Sequence, residues 1–316
     1  MRAAVLHEYG TPRHGEFEEP VAGEGEVVVA VAAAGLNPVD VAKAAGTFYA
    51  GKPPLPSVAG QEGVGRVAAG AGRRVYFDRP VPPFGSMAER ALVAADALID
   101  VPDGVPDHLA AALGVAGLAA WLPLTWRARL EPGERVLVLG ASGVVGQIAV
   151  QAAKLLGAGR VVAAARDADG LRRARERGAD ATVLLAGEAA DLTAAFREAA
   201  EGDLDVVIDP IWGAPAVAAL GALAVGGRLV QIGQSAGATA EIPSALIRGR
   251  NAAILGHTNF LAPAEERRAA YRALAEHAAA GRIVLDVEQI PLRDVERAWA
   301  RQREGGAHRK LVLVPG

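Results

Sequence analysis

The sequence predicts an α/β protein in which a doubly wound, six-stranded parallel sheet accompanies a separate β-rich unit. From Arg135 onward, short apolar runs alternate with helical stretches, the pattern of parallel strands joined by crossover helices. A glycine-rich turn joins the first of these runs to the first helix. The first 113 residues instead contain short strands between Gly- and Pro-rich turns. These three observations predict two domains of different architecture.

The composition and net charge are typical of two soluble domains and limit the classes of partner that the chain is expected to bind. The chain has 316 residues, of which 51% are hydrophobic, enough for a large core. A net charge of −3 and the lack of a basic cluster give no reason to expect nucleic acid or an anionic membrane as partner. The first residues lack the apolar core of a secretion signal, so we expect a cytoplasmic protein.

The second part of the chain shows regular alternation of strands and helices. The predicted strands are Arg135–Leu139, Arg160–Ala165, Ala181–Leu185, Asp205–Asp209, Arg228–Gly233 and Ala252–Gly256. The predicted helices are Gly143–Leu156, Gly170–Arg177, Ala189–Ala200 and Ala214–Ala224. Because crossovers between parallel strands are right-handed, this order determines most of the topology of the sheet.

The two ends of the chain are predicted to form one discontinuous domain. The N-terminal strands are Val27–Ala33, Gly63–Ala69, Arg74–Phe77 and Ala88–Val93. The C-terminal elements are a helix at Pro263–Ala280, a strand at Val287–Ile290, a helix at Arg293–Glu304 and a strand at Lys310–Val314. These C-terminal elements do not extend a six-stranded sheet. We therefore assign residues 1–113 and 259–316 to the β-rich catalytic domain and residues 114–258 to the domain that contains the parallel sheet. Residues 109–126 contain no charged side chain, and this segment is as long as a membrane span. Its many Ala and Gly residues and Pro123 favour a helix buried in the protein instead.

A Gly-x-x-Gly-x-x-Gly turn at 140–146 is the most informative motif. It follows an apolar strand and opens a helix, so its backbone and the free N–H groups of the helix suit a pyrophosphate. An ordinary strand–helix turn is the alternative, but a second strand ending about 20 residues later favours a dinucleotide site. The predicted cofactor contacts in this turn are Ala141, Ser142, Gly143, Val144, Val145 and Gly146.

The end of the second strand bears on the choice of dinucleotide. NAD-binding sheets carry an acidic residue there for the ribose 2′-OH, whereas this strand ends in Ala165 and is followed by Arg166. A neutral position followed by arginine favours a 2′-phosphate and therefore NADPH. Asp167 keeps NADH open as the less favoured cofactor, and a solvated strand-end charge is the alternative role for Arg166.

Five segments together carry a family resemblance that spans essentially the whole chain. They are Ala34–Asp40 (AGLNPVD), Leu55–Gly65 (LPSVAGQEGVG), Val138–Gly146, Gln231–Ser235 (QIGQS) and His308–Leu313. In these segments the chain resembles the zinc-free quinone oxidoreductase (zeta-crystallin-like) branch of the medium-chain dehydrogenase/reductase superfamily. The resemblance implies a Rossmann domain, a GroES-like catalytic domain, NADPH as cofactor, a homodimer and a small quinone or enone as substrate.

The resemblance also assigns residues to the site. Asn37 matches an asparagine near the nicotinamide ribose, although a turn residue before Pro38 is the alternative. NADPH-binding relatives carry a lysine where Gly170 stands, which would leave Arg166 alone on the 2′-phosphate. The other predicted cofactor contacts follow the ends of later strands, where open sheets bind ligands: Pro210, Ile211, Ile232, Gly233, Gln234, Ser235 and Asn259.

The sequence predicts chemistry without a metal. It contains no cysteine, Gln61 stands where zinc-dependent relatives have a histidine ligand, and its six histidines show no paired ligand spacing. Without a Lewis acid, the hydride acceptor must delocalise its own negative charge, which favours a quinone or an α,β-unsaturated carbonyl over a plain ketone or alcohol.

The candidate catalytic residues are Asn37, Tyr49 and Gln61. Phe48 competes with Tyr49 for the family's tyrosine position, and Gln61 has loop bracing as its alternative role. Asp40 and Lys43, one helical turn apart, are expected to form an exposed pair, and we expect no single obligatory general acid. Two other functions stay open: an enoyl or enone reductase of a biosynthetic pathway, and a non-catalytic dinucleotide-binding protein with a structural or redox-sensing role. Steady NADPH consumption with a quinone separates the non-catalytic protein from the enzymes.

Overall fold

A computed structural model describes residues 1–70, 72–305 and 308–316, and the chain divides into two compact units. Unit 1 comprises residues 1–116, 271–281 and 285–316, and unit 2 comprises residues 117–270 and 282–284. Both termini therefore belong to unit 1. The domain boundaries at 113/114 and 258/259 stay a prediction.

Unit 2 contains the predicted six-stranded parallel sheet. Its strands are β9 (Arg135–Leu139), β10 (Arg160–Ala165), β11 (Ala181–Leu184), β12 (Leu204–Asp209), β13 (Leu223–Gln231) and β14 (Ala253–Gly256), in the spatial order β11-β10-β9-β12-β13-β14. The connecting helices are α4 (Val144–Leu155), α5 (Ala168–Glu176), α6 (Ala189–Ala200), α7 (Ala214–Gly221) and α8 (Ser244–Arg248). The structure thus confirms the doubly wound sheet predicted from alternating apolar runs and helices. Its strand order reverses between β9 and β12.

The described residues of unit 1 form two further sheets. Its strands are β1 (Arg2–Leu6), β2 (Arg13–Glu16), β3 (Glu26–Gly35), β4 (Ser57–Val58), β5 (Glu62–Val67), β6 (Arg74–Phe77), β7 (Arg90–Ala94), β8 (Ile99–Asp100), β15 (Val287–Pro291) and β16 (Lys310–Val314). Its helices are α1 (Pro38–Ala44), α2 (Asp107–Ala112) and α10 (Val295–Glu304), while α3 (Val115–Leu122) and α9 (Ala264–Ala279) each contain a unit boundary. Strand β16 pairs antiparallel with β3, which confirms that the C-terminus returns to the N-terminal sheet.

Two predicted helices differ most from the structure. The helix predicted over 109–126 is divided into α2, α3 and a π-helical turn at Pro123–Arg127. The chain leaves the helix at Gly114, where a Cβ would lie 2.1 Å from Oε2 of Glu62 and 2.2 Å from the Tyr76 ring. The helix predicted to end at Ala224 ends at Gly221, and β13 begins two residues later. Across the described ranges, no helix combines the length and apolar character needed to span a membrane.

Candidate active site

The glycine turn of unit 2 folds back on itself between β9 and α4. Gly140 has a φ of +62°, and a Cβ there would lie 2.8 Å from Cγ2 of Ile211. A Cβ on Gly146 would lie 2.4 Å from the Gly140 carbonyl oxygen, so neither position accepts a side chain. Gly143 caps α4 without a side chain, leaving the first N–H groups of the helix for an anion.

The other segments predicted to bind the cofactor follow strands of the same sheet. Oδ1 of buried Asp209 accepts hydrogen bonds from the N–H groups of Ile211 (3.0 Å) and Trp212 (2.8 Å) and so shapes the turn after β12. Burial raises the pKa of Asp209 to about 6, although these two N–H groups lower it. A Cβ on Gly233, after β13, would lie 2.5 Å from the Pro210 carbonyl oxygen. The segments after β12 and β13 are therefore in contact.

The segment after β14 is held by a buried histidine. Nε2 of His257 lies 2.9 Å from Oδ1 of Asn259, and both residues are more than nine-tenths buried. Burial lowers the pKa of His257 to about 4, so the imidazole is neutral near pH 7. The structure therefore brings Pro210, Ile211, Gly233 and Asn259 to the carboxyl edge of the sheet that also carries the glycine turn.

The end of β10 shows how the acidic and basic side chains share this edge. Asp167 caps α5, and its Oδ1 accepts a hydrogen bond from the N–H of Gly170 at 2.5 Å. A Cβ on Gly170 would lie 2.2 Å from Cβ of Ser142, so this position cannot carry the lysine of the relatives. Arg166 is exposed, and Nη2 of Arg173 lies 3.9 Å from Oδ1 of Asp167.

Arg173 was not predicted as a site residue from the sequence. Its Nε and Nη2 are buried and make no hydrogen bond to the other described residues. An anion with several oxygens, such as a phosphate, would satisfy these donors. In the sequence Arg173 is one of four arginines within residues 172–177, and only its position in the folded helix distinguishes it.

Unit 1 contains a buried polar cluster centred on Glu62, which is fully buried in β5. Its Oε1 accepts hydrogen bonds from Nδ2 of Asn37 (2.7 Å) and Nζ of Lys310 (3.0 Å). Its Oε2 accepts from the Tyr76 hydroxyl (3.2 Å) and from the N–H of Val115. Four donors, one of them an ammonium group, therefore compensate the burial of this carboxylate.

Asn37 belongs to this cluster rather than to an exposed turn. Its Oδ1 accepts a hydrogen bond from Lys310 while its Nδ2 donates to Glu62, and only 3% of the residue is exposed. Gly35 permits this arrangement, because a Cβ there would lie 2.3 Å from Oε1 of Glu62. Glu62 and Lys310 were not predicted as site residues from the sequence, since a lysine that begins a strand ordinarily faces solvent.

A cavity of about 290 Å³ in unit 1 contains another of the predicted residues, Gln61. Oε1 of Gln61 accepts a hydrogen bond from Nζ of Lys43, and its Nε2 donates to the carbonyl oxygen of Asp78. Asp40 also lines this cavity and is 3% exposed. The expectation that Asp40 and Lys43 form an exposed pair is therefore wrong, because α1 packs this face into unit 1.

Tyr49 is placed differently from Gln61. It is 76% exposed in the segment after α1, and its ring centroid lies 4.5 Å from that of Phe48. Over the described part of the chain, the lining of the cavity includes neither Tyr49 nor Asn37. The structure thus does not bring the three predicted catalytic residues around one cavity of unit 1.

A metal site would need a cluster of ligating side chains within residues 1–70, 72–305 and 308–316. Within these ranges, no cluster of three or more His, Asp or Glu side chains could hold a metal ion. The prediction that the reaction proceeds without zinc rests on the absence of cysteine and on Gln61.

Comparison with known proteins gives the family. The model of the alcohol dehydrogenase GroES-like domain matches residues 23–103, and that of the zinc-binding dehydrogenases matches residues 144–276. Quinone oxidoreductase-like protein 2 of Mus musculus is 33% identical over 243 residues, covering 74% of this chain and 68% of that protein. The chain therefore belongs to the quinone oxidoreductase (zeta-crystallin-like) branch of the medium-chain dehydrogenase/reductase superfamily.

One solved structure and one much longer protein are also similar. The quinone oxidoreductase of Thermus thermophilus, whose complex with NADPH has been solved, is 34% identical with a TM-score of 0.83, covering 99% of this chain and 100% of that one. A phenolphthiocerol/phthiocerol polyketide synthase of Mycobacterium tuberculosis is 33% identical over 306 residues. That match covers 91% of this chain but only 13% of the synthase polypeptide. These likenesses confirm the fold class and the family expected from the motifs.

Proposed function

We propose that this chain is an NADPH-dependent oxidoreductase that transfers hydride to a quinone or an activated α,β-unsaturated carbonyl without a metal ion. The observation that carries the proposal is Gln61, an amide in place of the family's histidine ligand in a chain without cysteine. Lys43 and Asp78 hold both ends of this amide. Since the usual zinc ligands are missing, the acceptor must spread the incoming negative charge over its own conjugated system.

The cofactor would be held by unit 2. Bound NADPH would supply the hydride, and the chain would bind and orient it. We propose that the pyrophosphate contacts residues 141–146 and that Pro210, Ile211, Ile232, Gly233, Gln234, Ser235 and Asn259 contact the rest of the cofactor. The glycines that cannot carry side chains fit this role, and so does the N-terminus of α4, whose N-cap Gly143 has no side chain to bond its N–H groups. The likeness to a Thermus enzyme solved with NADPH supports the choice of cofactor.

Two arginines would receive the 2′-phosphate. Arg166 is exposed directly after β10, and Arg173 offers two nitrogens without hydrogen-bond partners among the described residues. Asp167 caps α5 through Gly170 instead of competing for the ribose, which weakens the case for NADH. Charge-assisted contacts from two guanidinium groups would thus replace the missing lysine at Gly170.

On the acceptor side, we propose supporting roles for the three predicted catalytic residues. Asn37 is held rigidly by Glu62 and Lys310, Gln61 lines a cavity, and Tyr49 is exposed. Each supplies at most one of several positioning contacts, so we expect Asn37→Ala and Tyr49→Phe to lower the rate by modest factors. By family resemblance, the active form is proposed to be a homodimer.

The test is an acceptor panel with purified protein and NADPH. We expect small quinones and activated enones to be reduced, while aliphatic ketones and alcohols react poorly. NADPH oxidation and product formation are measured together, so that oxidation by oxygen is excluded. Efficient oxidation of a simple secondary alcohol, or binding of NADPH without turnover of any acceptor, would refute the proposal.

A second candidate is reduction of an enoyl thioester. It is favoured by the likeness to the polyketide synthase, which covers 91% of this chain. The same panel separates the two functions when it includes crotonyl and longer enoyl thioesters. A kcat/KM for a thioester well above that for every quinone would select the second candidate.

A further inference from the structure

The cavity of unit 1 contains a buried carboxyl group that the proposed function leaves unused. Asp40 lines the cavity together with Lys43, Gln61 and Arg79. Its Oδ2 accepts a hydrogen bond from the N–H of Asn37 at 2.8 Å, which closes the first turn of α1. Its Oδ1 is buried and makes no hydrogen bond to any residue that the structure describes. A buried oxygen without a partner is costly unless it is protonated or meets a ligand.

We propose that the Asp40 carboxyl group is the proton donor to the acceptor bound in this cavity. The inference rests on the proposed function and adds the residue that completes the reduction. Only one oxygen of Asp40 is needed to hold α1, so the other can carry and release a proton without disturbing the helix. The other ionisable groups at the cavity, Lys43 and Arg79, are cations that would attract the electron-rich reduced acceptor.

The surroundings of Asp40 keep about half of its carboxyl groups protonated at pH 6 and about a tenth at pH 7. Burial raises the pKa of Asp40 to about 6. The N–H of Asn37 lowers this pKa, the carboxylate of Glu62 raises it, and the ammonium groups of Lys310 and Lys43 lower it. Helix α10, which also packs on α1, contributes apolar side chains to the shared core. An acid with this pKa is well matched to proton transfer near physiological pH.

The proton balance of the step is complete. The acceptor gains two electrons and one hydrogen as hydride, while the nicotinamide is oxidised. The oxygen anion of the reduced acceptor then takes the proton from Oδ1, so an O–H bond breaks on Asp40 and another forms on the product. The resulting carboxylate takes a proton from solvent, which returns Asp40 to its starting state. The net reaction consumes one NADPH, one acceptor and one proton.

The size of the cavity restricts the acceptor. At about 290 Å³ it lies at the small end of ligand pockets. Its walls combine the polar side chains named above with apolar ones such as Leu6, Pro53, Val58, Pro80 and Phe84. An acceptor of one or two rings fits this space, whereas a long polyprenyl tail would have to extend outside it.

The test compares the pH profiles of the wild type and of Asp40→Asn. The amide oxygen of asparagine can still accept from the Asn37 N–H, so α1 is preserved while the acidic proton is lost. We expect the wild-type kcat with a one-ring quinone to fall as pH rises through about 6, toward the flat profile of the variant. Near pH 5 the variant should be about a hundredfold slower, whereas near pH 8 the two should converge. Asp100→Asn, which alters an exposed carboxylate paired with Arg73, is the matched control and should keep the wild-type profile.

Infrared difference titration gives a readout that does not depend on turnover. Two carboxyl groups, Asp40 and Asp209, should titrate near pH 6 in the wild type and in Asp100→Asn, and one of these two signals should be lost in Asp40→Asn. An unchanged pH profile in Asp40→Asn would overturn the inference while leaving the proposed function intact. If that variant does not fold, a wild-type profile without a limb near pH 6 overturns the inference by itself. Absence of any turnover in the wild type would refute the proposed function, and the inference with it.

Discussion

The pair formed by Glu62 and Lys310 should be a large single contributor to the stability of unit 1. Nζ of Lys310 lies 3.0 Å from Oε1 of Glu62, and the two side chains are 2% and 0% exposed. At an effective dielectric constant of about 20, charges at this distance attract by roughly 5 kcal/mol. Lys310→Met keeps the apolar stem but removes the ammonium, which leaves a buried carboxylate without its cation. Because breaking a buried pair costs about 3–5 kcal/mol and three donors to Glu62 remain, we expect a loss of about 3 kcal/mol.

Urea unfolding and hydrogen exchange of the β3 and β16 amides measure this loss. Arg301→Met is the matched control, because the Arg301–Glu288 pair has comparable distances, 2.6 and 2.9 Å, but is exposed by about a third. It should cost at most about 1 kcal/mol. The double variant Lys310→Met with Glu62→Gln should regain much of the loss, because no unpaired charge remains. Equal, small losses in Lys310→Met and Arg301→Met would refute the reasoning.

Three further predictions concern the cofactor and the metal. Arg166→Ser should weaken NADPH binding about ten- to a hundredfold, since a charge-assisted contact contributes roughly 1.5–3 kcal/mol, and should leave NADH binding nearly unchanged. Equal losses of affinity for both cofactors in fluorescence titrations would contradict a 2′-phosphate role. Gly143→Val should fold normally, because a Cβ there meets only the Gly140 carbonyl at 3.4 Å, yet bind dinucleotide poorly; normal affinity would mean that the pyrophosphate lies elsewhere. Chelator treatment should leave quinone reduction intact, and elemental analysis should find substoichiometric zinc; a stoichiometric, chelator-sensitive metal would overturn the metal-free proposal.

The sequence alone determined the parallel sheet and the position of the glycine turn. Continuous apolar runs and helices with period 3.6 are local patterns, so the strands Arg135–Leu139 and Arg160–Ala165 were predicted with the bounds that the structure shows. The motif at 140–146 also depends on neighbouring residues only. Local patterns of this kind survive folding because the hydrophobic face of each element must be buried.

The tertiary structure decided where the polar side chains go. Lys310 begins a strand at the C-terminus, yet its ammonium meets Glu62, 248 residues earlier, inside unit 1. Gly170 excludes a lysine only because the first turn of α5 lies against Ser142. Asp40 and Lys43 have the spacing of a surface pair, but α1 packs with this face toward the cavity of unit 1. Burial, and with it the pKa of a carboxyl group, depends on residues distant in the chain, so no local pattern of sequence contains it.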